Sequence, residues 1–83
     1  MKVLYFTSQT CAPCKTLKPI AQEVSLETGV PIEFIDVAQN MPLAQSYRVT
    51  SVPTLIAVSN GQVKWRHTGL ASKQSLKHYF SIK

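Results

Sequence analysis

The sequence has 83 residues, of which 45% are hydrophobic and 16% are charged, and this balance excludes an intrinsically disordered chain. The length indicates a single domain over residues 1–83, whose small core leaves room only for a shallow substrate site. The net charge is +5, no apolar run suits a signal peptide or a membrane-spanning helix, and two cysteines are too few for a secreted disulfide scaffold.

The first part of the chain predicts a strand followed by a long helix. Residues 2–7 are dominated by aromatic and β-branched side chains and contain no turn former, which is typical of a strand. Residues 12–28 carry apolar side chains at helical spacing, and Gly29 is placed to cap the end of this helix. Pro19 lies inside the helix, where its missing N–H predicts a kink.

The middle of the chain predicts a second strand and a short helix. Residues 32–37 alternate weakly and suit a mostly buried strand. Asn40 is a candidate N-terminal cap for a helix over residues 41–47, with Pro42 in its first turn. Because two strands joined through a helix pair in parallel, the first two strands predict a right-handed parallel unit.

The last part of the chain predicts a hairpin and a final helix. Residues 54–59 and 62–68 have strand patterns and are joined by an Asn-Gly turn, which is typical of an antiparallel hairpin. Ser72 is a candidate cap for a helix whose inner face carries Leu76, Tyr79 and Phe80. The predicted fold class is therefore α/β, with the order βαβαββα and three helices covering a mixed four-stranded sheet.

Cys11 and Cys14 lie at the start of the long helix, and their positions there are not equivalent. Cys14 shares the buried helix face, whereas Cys11 precedes the first turn and should be the more exposed sulfur. The unpaired N–H groups of the helix start, together with Lys15 and Lys18, favour an anion, so the pKa of the Cys11 thiol should lie below that of free cysteine. Pro13 fits the first turn, since its missing N–H needs no helical partner.

This arrangement predicts dithiol–disulfide exchange, in which Cys11 attacks a target disulfide and Cys14 resolves the mixed disulfide. Three alternatives remain. A structural disulfide closing so small a loop contributes only about 2 kcal/mol. A zinc site needs two more ligands, and the only histidines are His67 and His78, whose spacing is unlike that of a zinc finger. The third alternative is a pair of inert buried cysteines.

Two segments resemble the signatures of the thioredoxin family. Residues 10–15, Thr-Cys-Ala-Pro-Cys-Lys, followed by Pro19, are similar to its active-site segment. Residues 49–55, Val-Thr-Ser-Val-Pro-Thr-Leu, resemble its second signature, and the register continues to the C-terminus. The resemblance covers nearly the whole chain and implies a minimal thioredoxin fold of glutaredoxin size, without the additional N-terminal strand and helix of full-length thioredoxins.

The resemblance also implies roles for individual residues. It makes Cys11 the nucleophile, Cys14 the resolving cysteine and Pro53 a cis-proline, although the residues alone favour a trans proline at the start of a strand. Val52 would offer backbone hydrogen bonds to an extended substrate segment, and Gly69 would keep the groove open. The substrate-binding set is then Thr10, Ala12, Pro13, Val52, Pro53 and Gly69.

The sequence departs from the family at several of these positions. Thr10 replaces the usual tryptophan before the first cysteine, and Ala12-Pro13 replaces Gly-Pro. The buried aspartate and its lysine partner correspond to Tyr5 and Phe34, both assigned to the apolar core. Since the carboxylate is missing, the Cys14 thiol should keep a high pKa, and its deprotonation should rely on water or the local backbone.

The predicted function is reduction of protein disulfides by a cytoplasmic monomer that needs no metal or organic cofactor. Its partners would be disulfide-containing proteins and a thioredoxin reductase or other thiol reductant, with no membrane and no nucleic acid. A glutathione-dependent glutaredoxin is the alternative, but residues 67–72 lack the Gly-Gly and acidic residue that commonly bind glutathione.

The basic C-terminal end carries no acid and suggests a different class of function, a nucleic-acid-binding module. A solvated surface is the favoured interpretation, because aromatic residues do not interleave with the basic ones. The basic residues are Lys64, Arg66, Lys73, Lys77 and Lys83.

Overall fold

The structure, a computed structural model, describes residues 1–82. Lys83, which belongs to the basic C-terminal end, lies outside the described residues. The strands are β1 (Lys2–Thr7), β2 (Ile32–Asp36), β3 (Thr54–Ser59) and β4 (Gln62–Thr68). The helices are α1 (Ala12–Thr28), α2 (Met41–Ser46) and α3 (Lys73–Phe80). This order confirms the predicted βαβαββα arrangement.

The strands form a mixed four-stranded sheet in the order β2-β1-β3-β4. β1 and β2 are parallel, as a strand–helix–strand crossover requires, and β3 is antiparallel to both β1 and β4. The turn between β3 and β4 has positive φ at both Asn60 (53°) and Gly61 (77°), which matches the twist of a two-residue hairpin. The predicted sheet and hairpin are therefore confirmed.

The helices lie on both faces of the sheet and enclose two hydrophobic cores. α1 and α3 cover the larger core, which includes Val3, Tyr5, Leu17, Leu55, Leu76 and Phe80 together with both cysteines. α2 covers the smaller core on the opposite face, which contains Leu4, Phe6, Ile35, Ala44 and Ile56. Because side chains alternate along a strand, β1 supplies neighbouring residues to both cores.

α1 begins and ends at the predicted residues. Its buried face consists of Cys14, Leu17, Ala21 and Val24. Gly29 adopts a left-handed conformation with φ of 74° and donates its N–H to Ser25 O, which caps the helix end. Pro19 lies within the helix, which continues to Thr28.

One prediction for the middle of the chain was wrong. β2 is an edge strand in which only Ile35 is buried, and Phe34 is 36% exposed, so β2 is not a mostly buried strand. An edge strand has a neighbouring strand on one side only, so its side chains are less covered than those of a central strand. Asn40 is the N-cap residue of α2 as predicted, but its side chain makes no capping hydrogen bond, and its amide donates to Asp36 O at 3.1 Å.

Two of the basic residues of the C-terminal end, Lys73 and Lys77, pair with acidic residues of α1. Lys73 contacts Glu23 and Glu27 at 2.7 Å, and Lys77 contacts Glu27 at 3.1 Å, which joins α3 to α1. The charge separation seen along the sequence is therefore reduced by the fold. Trp65 is buried against the rings of Tyr79 and Phe80.

Within residues 1–82, no helix is both long and apolar enough to cross a membrane.

Candidate active site

The two cysteines meet where the loop after β1 enters α1. They form a disulfide, with their Cα atoms 5.3 Å apart. Cys11 is the N-cap residue of α1, and its Sγ accepts the N–H of Cys14 at 3.1 Å. A sulfur that caps a helix lies close to the positive end of the helix dipole, so this geometry stabilises a thiolate at Cys11.

The exposure of the two cysteines follows the predicted order, but the difference is small. Cys11 is 9% exposed and Cys14 is 2% exposed. Cys11 is less accessible than expected, because it joins the larger core on which Val52 also packs. The adjoining residues Thr10, Ala12 and Pro13 are exposed and form the outer surface beside the disulfide.

The loop before β3 provides a second part of the site. The Val52–Pro53 peptide bond is cis, and Pro53 is buried. The Thr54 hydroxyl donates to Ser51 O at 2.7 Å and thereby closes the loop. Within residues 1–82, the backbone N–H and C=O of Val52 have no hydrogen-bond partner.

Gly69 connects the end of β4 to this loop. Its N–H donates to Pro53 O at 2.9 Å, and its φ is +95°, a conformation that strongly favours glycine. A Cβ at this position would point into open space. The requirement for glycine is therefore conformational, and an added side chain would extend over the surface beside the Pro53 loop.

Two residues that sequence analysis assigned to the apolar core behave differently. Tyr5 is fully buried, but its hydroxyl donates to Cys14 O at 2.7 Å. The ring of Phe34 is partly exposed, packs 4.9 Å from the ring of Tyr5, and has the Lys18 ammonium 4.9 Å from its centroid. Burial raises the pKa of the Tyr5 hydroxyl to about 12, so it is a permanent donor at neutral pH.

A cleft of about 210 Å³ opens beside Cys14. Polar and charged residues form most of its lining, namely Thr7, Ser8, Gln9, Lys15, Lys18 and Asp36. These residues present mainly their carbon atoms to the cleft, and Cys14 itself is 2% exposed. A larger cavity, of about 570 Å³, lies against Met1, Gly29 and Phe80, and neither cysteine lines it.

Sequence analysis missed two contacts at the site. A buried tyrosine usually finds a partner for its hydroxyl, and that rule was the available signal for Tyr5. The second contact is a clamp by Arg66, which donates to Tyr47 O at 2.9 Å and to Arg48 O at 3.3 Å. No sequence signal reveals the clamp. The two carbonyls belong to the segment that leads to Val52, and only the fold brings them close to Arg66 of β4.

The zinc alternative has no cluster to support it in the part of the chain that is described, where no three His, Cys, Asp or Glu residues come together. His67 instead lies within hydrogen-bond distance of Leu70 O, at 3.2 Å.

A Cys-x-x-Cys disulfide at the start of a helix, on a mixed sheet of this topology, defines a thiol–disulfide oxidoreductase. The sequence model of the family Thioredoxin matches residues 1–81. Thioredoxin from Bacillus subtilis is 34% identical over 74 residues, which are 87% of this chain and 71% of that protein. Thioredoxin from Buchnera aphidicola is 36% identical over 76 residues, covering 89% and 70% of the two chains.

Solved structures give the same result. A mutant thioredoxin from Halobacterium salinarum superposes with a TM-score of 0.89 and 31% identity, covering 94% of this chain and 69% of that one. Thioredoxin 1 from Thermosipho africanus gives a TM-score of 0.83 at 28% identity, covering 99% and 97%. The chain belongs to the thioredoxin family and is a protein-disulfide oxidoreductase, and these matches do not favour the glutaredoxin alternative.

Proposed function

We propose that this protein is a protein-disulfide reductase in which Cys11 is the nucleophile and Cys14 is the resolving cysteine. The observation that carries the assignment is the hydrogen bond from Cys14 N–H to Cys11 Sγ, which together with the helix start favours a thiolate at Cys11. Cys14 has no equivalent stabilisation of its sulfur within the described residues, and it is the more buried of the two.

The reaction proceeds by two thiol–disulfide exchanges. The Cys11 thiolate bonds to one sulfur of the substrate disulfide, and the other substrate sulfur leaves with the electron pair. Cys14 then loses its proton and bonds to Cys11 Sγ, which expels the second substrate sulfur. The substrate gains two electrons and two protons, and the two cysteines become the disulfide present in the structure. The Cys14 proton passes to solvent water, since no hydrogen bond to its sulfur is present within residues 1–82.

The substrate segment would lie across the exposed Thr10, Ala12 and Pro13 and the adjoining loop of Val52, Pro53 and Gly69, in which Pro53 is buried. The free backbone groups of Val52 support strand-like pairing with an extended segment that carries the target cysteine. Gly69 supports the same site by donating its N–H to Pro53 O at 2.9 Å from a backbone conformation that favours glycine. Recognition through backbone groups suits an enzyme that acts on disulfides in different sequences.

The electrons are carried by the cysteines themselves, so the proposed reaction uses no metal and no organic cofactor. The partners are disulfide-containing proteins as substrates and a thioredoxin reductase or another thiol system as reductant. We place the protein in the cytoplasm as a monomer without nucleic-acid or membrane partners. The pairing of Lys73 and Lys77 with α1 carboxylates supports a structural role for much of the basic end.

Parallel reductant assays test this function. One reaction contains insulin with NADPH and a thioredoxin reductase, and the other contains a glutathione mixed disulfide with glutathione and its reductase. We expect insulin reduction that requires the thioredoxin reductase, with Cys11→Ser as the inactive control. Activity with glutathione alone would overturn the proposed electron source and favour the glutaredoxin alternative.

A further inference from the structure

The Tyr5 hydroxyl holds the peptide carbonyl of the resolving cysteine. Tyr5 lies in β1, fully buried below the start of α1, and its Oη donates to Cys14 O at 2.7 Å. In an α-helix this carbonyl also accepts the N–H four residues later, and a carbonyl oxygen has two lone pairs for two such donors. The bond therefore ties the first turn of α1 to the central part of the sheet.

The opposite side of Cys14 is held as well. Its N–H donates to Cys11 Sγ at 3.1 Å. Both peptide groups that flank the Cys14 Cα are thus fixed, one by the partner sulfur and the other by Tyr5. Fixed peptide planes restrict φ and ψ of Cys14, which set the direction of its Cβ and limit the rotamers open to its Sγ.

The Tyr5 ring has little freedom to move the hydroxyl away from Cys14 O. It is enclosed in the larger core, and the Phe34 ring packs against it at 4.9 Å between centroids. Because burial raises its pKa to about 12, the hydroxyl remains a donor and does not accept the Cys14 proton. The contact is consequently suited to holding a geometry and unsuited to proton transfer.

We propose that Tyr5 is a positioning residue for the second exchange, because its bond to the Cys14 carbonyl keeps Cys14 Sγ in line with the mixed disulfide on Cys11. The inference rests on the proposed role of Cys14 as the resolving cysteine. In that step the Cys14–Cys11 bond forms, the Cys11–substrate bond breaks, and the electron pair leaves with the substrate sulfur. Attack by Cys11 precedes this step and does not need the Cys14 sulfur to be aligned.

The test separates the two exchanges with a symmetrical nitrobenzoate disulfide, which releases one coloured thiolate when Cys11 attacks and a second when Cys14 resolves. Stopped-flow absorbance follows both releases for the reduced unsubstituted chain and for Tyr5→Phe, which keeps the ring. We expect the first release to be unchanged and the second to slow by about tenfold, as for a misaligned reacting group that loses one hydrogen bond.

Tyr79→Phe is the matched control, because it removes a tyrosine hydroxyl that contacts neither cysteine. Its two releases should both occur at the unsubstituted rates. A second release at the unsubstituted rate in Tyr5→Phe, or an equal slowing of both releases, would overturn the positioning role. Failure of the proposed function looks different, because no fast first release would then occur in the unsubstituted chain.

A measurement on the unsubstituted chain keeps the inference testable if Tyr5→Phe folds poorly. The proposal requires the Tyr5–Cys14 bond to exist in the dithiol state, before resolution occurs. Carbonyl-carbon NMR shifts of Cys14 in the reduced and oxidised protein report that bond, and we expect a doubly hydrogen-bonded shift in both states. A singly bonded shift in the reduced protein would contradict the proposal.

Discussion

The two sides of the disulfide are built in different ways. On the inner side, Cys14 is held by side chains and helix backbone of β1 and α1, and Tyr5 fixes its carbonyl. On the outer side, the loop of Val52 and Pro53 and the neighbouring Gly69 present mostly backbone. From this difference we propose that the inner side sets the rates of bond exchange, whereas the outer side sets the binding of substrate.

The largest effect is expected from substitution of Cys11, whose sulfur belongs to the disulfide that lies between the two sides. Cys11→Ser should lower insulin reduction by more than about a hundredfold, because a serine hydroxyl is not ionised at neutral pH and does not attack disulfides. The measurement is steady-state turnover with an excess of reductant. Circular dichroism should show an intact fold, and turnover above a tenth of the unsubstituted rate would show that Cys11 is not the nucleophile.

A substitution on the outer side should affect binding more than chemistry. Gly69→Ala places an L-residue at φ of +95°, which destabilises the protein by about 1–2 kcal/mol and moves the N–H that holds Pro53 O. We expect the KM for a protein disulfide to rise about fivefold while the rate of attack on a small disulfide stays unchanged. Gly29→Ala is the control, since it introduces similar strain at the end of α1.

The two glycine variants sharpen the comparison between the regions. Both should lose stability in urea unfolding, but only Gly69→Ala should raise KM. If Gly29→Ala raised KM equally, the effect of Gly69 would reflect general destabilisation, and the outer side would lose its assigned role in substrate binding.

A smaller effect is expected from the clamp behind the outer side. Arg66→Met removes the two hydrogen bonds to Tyr47 O and Arg48 O while keeping much of the aliphatic stem. Because Arg66 is exposed, the free energy of unfolding should fall by only about 1 kcal/mol, and KM should rise about twofold as the loop before Val52 loosens. Lys64→Met, on the same strand, should change neither quantity.

The smallest effect is expected from the ion pairs that join α1 and α3, because they involve no residue of either side of the disulfide. The hydrogen bond from Lys73, followed by that from Lys77, lowers the pKa of Glu27 below its ordinary 4.5, so its contribution is present above pH 4.5 and disappears as pH falls through the lowered value. The hydrogen bond to Glu23, followed by that to Glu27, raises the pKa of Lys73 above 10.5, so its contribution disappears as pH rises through the raised value.

Urea unfolding of the unsubstituted chain and Glu27→Gln across pH measures this contribution. The difference in stability should be small, because these side chains are exposed, and it should be constant between about pH 5 and pH 10. It should shrink only at the acidic and alkaline ends. A difference that grew toward the acidic or the alkaline end would contradict the signs given for these groups, and activity should follow neither change.

The fold was predictable because its elements depend on local patterns. The apolar face of α1, the Asn-Gly turn and the cap at Ser72 all appear in the structure where sequence placed them. The burial of β2 was predicted wrongly, because its weak alternation does not show which strand lies at the edge of the sheet. Pairing of Lys73 with Glu23 was also not predictable, since the two residues are brought together only by packing of α3 on α1.

The reactive cysteines of the site were predictable from the sequence, whereas the contacts that hold them in place were less so. The spacing of the cysteines at a helix start indicated unequal sulfurs, and the N-cap position of Cys11 agrees with that reasoning. The cis bond before Pro53 followed only from resemblance, since local sequence favours trans. The bond from Tyr5 to Cys14 was missed, because the aligned position was treated as apolar and its hydroxyl was given no partner.

Trapping of the mixed disulfide tests the central claim most directly. Each single-serine variant, Cys11→Ser and Cys14→Ser, is reduced and incubated with native, disulfide-bonded insulin. The mixture is quenched with acid and analysed by mass spectrometry without reductant. The account predicts a stable covalent insulin adduct on Cys11 in the Cys14→Ser protein, and almost none in Cys11→Ser. Equal adducts in both variants, or an adduct only on Cys14, would contradict the assignment of nucleophile and resolving cysteine.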